Sequence, residues 1–459
     1  MRRTSADGLQ MTKRLMAAAL ISIGLGTCAA SAHAQQAAGA YGPPDTSRSR
    51  DVAIYDTPAP PGVPPALLSA AEMATENYPS IRNAETQMLA SRADLRSARW
   101  LRFPSLSVEA LAVTRGSRNS VQNGLTANVV LEQPLLTFGR VGGTIDKAEA
   151  LLLARRAGVD ETARDIALQV IDAFYAVAGA ARRQALLEEG LGQHQDLLQT
   201  IRNRVQQEVS PQADLDLAMS RTAQLQQDLE LAKAQSAANI TRLLQLVGTN
   251  SFELGNVPEY DAVTMHPAEQ GAVERAMLCD PTQERLRAEV LAAEAEAKVA
   301  KGSIFPQLLG QVSRNEITGT RVGAVLRAQT GNGLSQFAAS DAAQTRVQAA
   351  EFNILTAERN LREQLNLDFV NNRSSRERVD SGKQASMMSS LVTESYKRQF
   401  ITGRRTWLDV MNAVREATNS KLSMADAEIG AMQSNAHIWL RTCGWQPRPL
   451  DTGLADAPK

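Results

Sequence analysis

The 459-residue sequence is poor in aromatic residues, histidine and cysteine, and it has no surplus of either charge. Each shortage excludes something. With 49 basic and 49 acidic residues, no excess of positive charge draws the chain onto a nucleic acid. Aromatics make up 4 %, a profile of long helices rather than of a compact β-rich domain. Of the four His and three Cys, none falls in a Cys-x-x-Cys pair or a histidine cluster. There is no Gly-x-Ser-x-Gly elbow either, so no enzyme, metal or cofactor is expected. The run "TGNGLSQ" (330–336) begins like a phosphate-binding loop but lacks the third glycine and a clean preceding strand. It reads as the entry to a helix. Past the N-terminal region no stretch approaches about 18 consecutive apolar residues, so no transmembrane helix is expected.

The N-terminus stands apart. Lys13-Arg14, the apolar run "LMAAALISIGLG" and then "SAHA" read as a secretory signal over 1–34, cleaved before Gln35, whether the start is Met1 or Met11. Lipidation of Cys28 is the poorer alternative, because Thr27 is unusual before such a cysteine. Residues 35–65, rich in Pro, Gly, Ser and Ala, read as an extended linker. If Cys28 leaves with the signal, Cys279 and Cys443 remain. In an oxidising compartment they pair or stay as two separate thiols, and the spacing leaves both open.

What the chain does have is a duplication. "RFPSLSVEA" and "IFPQLLGQV" each break a helical pattern at Phe-Pro, and Pro104 and Pro306 lie 202 residues apart. At that offset eleven residues between Ala70 and Leu106 meet an identical partner, among them Pro79 with Pro281 and Phe103 with Phe305. Beyond the proline the offset becomes 195: Asp146 meets Asp341, Arg164 meets Arg359, Phe174 meets Phe369 and Asp214 meets Asp409. The period is far too long for a solenoid. The domains follow: a first repeat over 66–250, a connector over 251–270, a second repeat over 271–446 and a tail over 447–459.

Within each repeat a proline opens a helix of about 24 residues that ends at the Phe-Pro, since proline is not tolerated in a helix interior. Two strands follow, alternating over Leu106–Ala112 and Leu125–Leu131, and more weakly over Leu308–Val312 and Val322–Leu326. A long helix comes next, over Thr144–Glu208 and about Leu334–Ile401. In the first copy a seam steps by 4 and 3 from Val159 to Val205, the signature of a coiled coil, with His194 as one of its two polar members. After breaks at "VSPQAD" and "ITGRRT", a helix of about 36 residues closes each repeat. The two short helices of a repeat together match the long one, which spans roughly 98 Å at about 1.5 Å per residue.

Four strands cannot close a barrel, and open edges are excluded from a bilayer. Three chains would supply twelve strands and twelve helical rods. The Phe-Pro corners Phe103-Pro104 and Phe305-Pro306 then mark where helix becomes barrel at the membrane surface. The fold class expected is mainly α with a small transmembrane β part.

With its duplication, its "FPSL" and "FPQL" corners, "EQPLLTFGR" (132–140) and "FITGRRTWLDVMNA" (400–413), the sequence resembles the TolC-type outer-membrane factors over about 66–446. These are trimeric channel-tunnels of efflux and type I secretion systems. The resemblance implies an outer-membrane homotrimer, with its helices in the periplasm. It implies as partners outer-membrane lipid, a periplasmic adaptor and an inner-membrane transporter, ABC or proton-driven. The breaks become periplasmic tips, with Val209, Ser210, Pro211, Gly403 and Arg404 touching the adaptor. A constriction is implied at Arg405 and Asp409, with Phe400 at an aromatic gate position, Asn412 where the family has a second aspartate, and Asp214 at the first tip. Asp409 reads equally well as a helix cap. Glu208, Ser210 and Pro211 depart from the family pattern at the first tip, which favours type I secretion over drug efflux. The architecture also brings Cys279 and Cys443 to one level, with paired and free thiols still both open. The chief rival is a periplasmic coiled-coil adaptor, and a surface adhesin is third.

Overall fold

The computed structural model describes residues 60–113, 124–252, 255, 259–315, 319–328 and 332–447. The expected signal peptide, most of the linker and the tail from 448 lie outside the described residues. The elements run α1 Pro65–Asn77, α2 Pro79–Trp100, β1 Ser105–Val113, β2 Gly124–Leu136, α3 Arg140–Gln206, α4 Gln212–Val247, α5 Ala272–Cys279, α6 Pro281–Gly302, β3 Gln307–Asn315, β4 Gly319–Arg327, α7 Ser335–Ile401 and α8 Trp407–Arg441. Among the described residues no helix is long and apolar enough to cross a membrane.

The long helix α3, 67 residues, organises the rest. Near the sheet it packs between α2 and α6, and further along between α4 and α8; α7 packs on α6 and then on α8. Short helices therefore stack along long ones. Eleven of the fourteen seam positions, from Val159 through Ile201, are buried. Small residues let backbones approach. Any Cβ added at Gly143 would meet Val299 Cγ2 at 2.8 Å, and one at Gly190 would meet Thr418 Oγ1 at 2.8 Å.

The largest core lies at the level where short helices meet. It gathers Leu67, Ala70 and Ala74 of α1, Val170, Phe174 and Tyr175 of α3, Leu243 of α4 and Met432 of α8. Helix α1 was not anticipated, nor was its counterpart α5; Ala70, Glu72 and Ala74 repeat as Ala272, Glu274 and Ala276 because both copies place a short helix there. Pro60, Val63 and Pro64, read from composition as linker, are buried, and Asn435 Nδ2 donates to the Pro61 carbonyl at 3.0 Å.

Two links tie the chain together at this level, the first between the repeats and the second within the second repeat. Arg164 of α3 pairs with the buried Asp280, at the N-cap position of α6, and also donates to Thr282 Oγ1 at 3.0 Å. A disulfide joins Cys279 to Cys443, tying the chain just past α8 to the end of α5. The two cysteines are 164 residues apart, so cross-linking removes much loop-closure entropy from the unfolded chain. Cys443→Ser is expected to lower stability by on the order of 4 kcal/mol. A thermal or urea transition should show it, and reductant should lower the wild type to the same level while leaving the variant unmoved.

The sheet is antiparallel in the order β1-β2-β3-β4. Leu106 faces Leu131, Val108 faces Val129, Leu131 faces Val312 and Leu308 faces Leu326. On the other face Glu132 is bound by Gln311 at 3.1 Å and by Arg327 at 2.7 Å, across the width of β3. Strand β2 runs further than its alternation, because a register shift between Pro134 and Leu136 accommodates the proline. At the helix-to-strand corners Trp100 lies 5.0 Å from Phe103, and Phe138 stacks on Phe305 at 5.2 Å. All four aromatic side chains are exposed.

Candidate functional site

At about 1.5 Å per residue, α3 puts its far end about 100 Å from the sheet. There α3 turns into α4 and α7 turns into α8. The two turns share a small core of Leu197, Ile201, Ala218, Phe400, Trp407, Val410, Met411 and Val414.

Both turns need a left-handed residue. The second uses Gly403 at φ 72°; the first uses Glu208 at φ 59°. A residue with a Cβ is strained there by roughly 1–2 kcal/mol, yet the turn is the one glycine would make. Val209 and Arg404 stand exposed beside these residues, with Ser210 half-buried and Pro211 exposed as the N-cap of α4. Asp214 lies in the first turn of α4.

Asp409 is part of a capping box. Its amide donates to Thr406 Oγ1 at 3.2 Å, while its carboxylate accepts from the Thr406 amide at 3.2 Å and the Thr406 hydroxyl at 2.9 Å. Arg405 Nη1 approaches Asp409 Oδ2 at 3.9 Å, and its guanidinium sits 4.4 Å from the Tyr396 ring centre. The structure thus brings Arg405 and Asp409 together. Phe400, at the aromatic gate position, is instead only 7 % exposed, because it packs in one core with Leu197 and the seam residue Ile201. Arg204 of α3 lies over the ring at 5.2 Å. That contact crosses from the first tip to the second, and no local motif announces it. Asn412 is exposed and lines a groove with His194 rather than joining Arg405 and Asp409.

Asp409→Ala separates the two roles of this carboxylate. Loss of the cap is expected to cost about 1 kcal/mol. If a ring of these carboxylates also narrows the opening, single-channel conductance in a planar bilayer should rise as well. Thr406→Ala, which breaks the same cap and keeps the charge, should lower stability alone.

Residues 70–249 match the model of the outer membrane efflux protein family. No curated protein matches the chain by sequence. Among solved structures, the outer-membrane channel OprN superposes with a TM-score of 0.75 at 18 % identity, covering 84 % of this chain and 91 % of that one. The outer membrane protein VceC of Vibrio cholerae gives 0.72 at 14 % identity, over 82 % of this chain and 95 % of that one. The CmeC outer membrane channel of Campylobacter jejuni gives 0.72 at 12 %, over 83 % and 86 %. The fold is TolC-type, and the family model matches within the first repeat. At these identities the likeness to the solved channels is one of fold. The family is one of outer-membrane efflux channels, not of enzymes. The TolC-type fold accounts for the Phe-Pro corners, the stacked helices and the four-stranded sheet together.

Proposed function

We propose that this chain is the outer-membrane exit duct of a tripartite efflux system, built from three copies, with its helices crossing the periplasm to an adaptor and an inner-membrane transporter. The observation that carries this reading is the sheet. One face bears Leu106, Val108, Leu131, Val312, Val322 and Leu326, all exposed, while Glu132, Gln311 and Arg327 are joined on the other. β1 and β4 are open edges of nine residues each. That is a bilayer-spanning length with one lipid-compatible face, and edges that further strands must cover. The exposed aromatics at the corners suit the membrane–water boundary.

The helices support the same assembly. α7 keeps Phe352, Leu355, Val370, Met387, Leu391 and Val392 exposed on its outer side, and at the opposite margin α2 and α4 expose Leu89, Leu217, Met219, Leu231 and Ile240. Apolar surface on this scale calls for a partner. A periplasmic adaptor has no use for the lipid-compatible sheet. The departures at the first tip are a weak argument for type I secretion, since Glu208 takes the same backbone as a glycine.

Purified full-length protein should run as a heat-modifiable trimer from the outer-membrane fraction and open steady conductances in planar bilayers. Recovery as a water-soluble periplasmic monomer that leaves bilayers intact would overturn the reading.

A further inference from the structure

Between α4 and α8, floored by α3, lies a groove of about 390 Å³. This is within the range of about 300–1,000 Å³ typical of small-ligand sites. Its apolar lining comes from Leu187, Leu225 and Leu422. Arg221 of α4 and Arg415 of α8 line it too, and neither has an ion-pair or hydrogen-bond partner among the described residues. Arg183, the third guanidinium, is engaged by Asp426. Asp228 is the one carboxylate of the lining. His194 belongs to the wall. It is 4 % exposed, and both of its ring nitrogens are covered without a hydrogen-bond partner. Burial first, and then the charge of Arg415, hold its pKa below the usual value, so near neutral pH the ring is neutral, with one N–H to give and one lone pair to fill. A buried donor left unmade is costly.

We propose that this groove binds an organic carboxylate with an apolar body, its anion between Arg221 and Arg415. Guanidinium groups match the planar carboxylate fork. The leucine lining accepts a hydrocarbon or aromatic body, which a bare inorganic ion would leave unused. A small adjustment of the wall lets His194 give its N–H to the same anion. Binding of the anion is read apart from the pore, since calorimetry reports on the groove and bilayer conductance on the channel.

The probe is benzoate, titrated calorimetrically into the full-length protein in detergent, with benzamide and inorganic phosphate as comparisons. Saturable binding of benzoate is expected, with benzamide and phosphate far weaker. Arg221→Gln and Arg415→Gln should each weaken benzoate about tenfold or more. His194→Phe, which keeps the packing and removes both nitrogens, should weaken it as well. Heats that never saturate, equal binding of phosphate, or affinity unchanged in the arginine variants would overturn the proposal. Saturable binding of an acidic helical peptide without benzoate binding would overturn it too, in favour of a protein contact.

Discussion

Val108→Arg is expected to keep the protein out of the outer membrane. Val108 lies in the middle part of β1, 67 % exposed, opposite Val129 on the apolar face. An arginine at the midplane of a transmembrane barrel costs about 2–4 kcal/mol, and a trimer would bear that three times. The neighbouring Ser107 faces the other way, its hydroxyl near the Val130 carbonyl at 3.4 Å, on the side that carries Glu132 and Arg327. Ser107→Arg should therefore insert and assemble normally. Fractionation and heat-modifiability of the two variants measure the difference. Equal assembly of both would mean that the apolar face does not meet lipid.

The second large effect depends on pH. His437 of α8 sits between Asp172 of α3, with Nε2 3.0 Å from Oδ1, and Asp368 of α7, with Nδ1 3.7 Å from Oδ1. Arg441 holds Asp368 at 2.9 Å. Burial alone would push the imidazole pKa down, but the two carboxylates outweigh it and raise the pKa to about 9. The folded value thus lies above the unfolded one near 6.5. The stabilisation is complete below about pH 6.5, fades as pH rises toward 9, and is gone beyond it. A shift of this size corresponds to about 3 kcal/mol. His437→Gln is accordingly expected to lose about 3 kcal/mol at pH 6 and little at pH 9.5. Unfolding midpoints across that range test it. A difference between variant and wild type that does not change with pH would show that the ring only packs.

The long helices were legible because their seams repeat without interruption, and the strands because period two persisted on both sides of a turn. Their limits were less legible. α3 begins at Arg140 rather than Thr144, since Gly139, at φ 85°, lets the chain turn directly into the helix. Pro134 hid the end of β2. α1 and α5 escaped notice because short alanine-rich turns gain their stability from the core around Phe174 and Leu365 rather than from any pattern of their own. At the tip, Arg405 and Asp409 are one helical turn apart and could be paired on paper. The Arg204–Phe400 contact and the His437 cluster join residues far apart in the chain, which only packing brings together. Asp409 was readable both as a cap and as a charge at an opening, and the cap is what the geometry displays.

The flanks of the molecule differ: α7 forms one and α2 with α4 the other. In the proposed assembly one flank meets the other of the next copy, head to tail, and only the angle between successive copies decides whether the row closes or grows into a fibre. A chain with one spoiled flank still offers the sound one to its neighbours. It would join a growing row and prevent its closure, so such a damaged copy should act dominantly over intact ones.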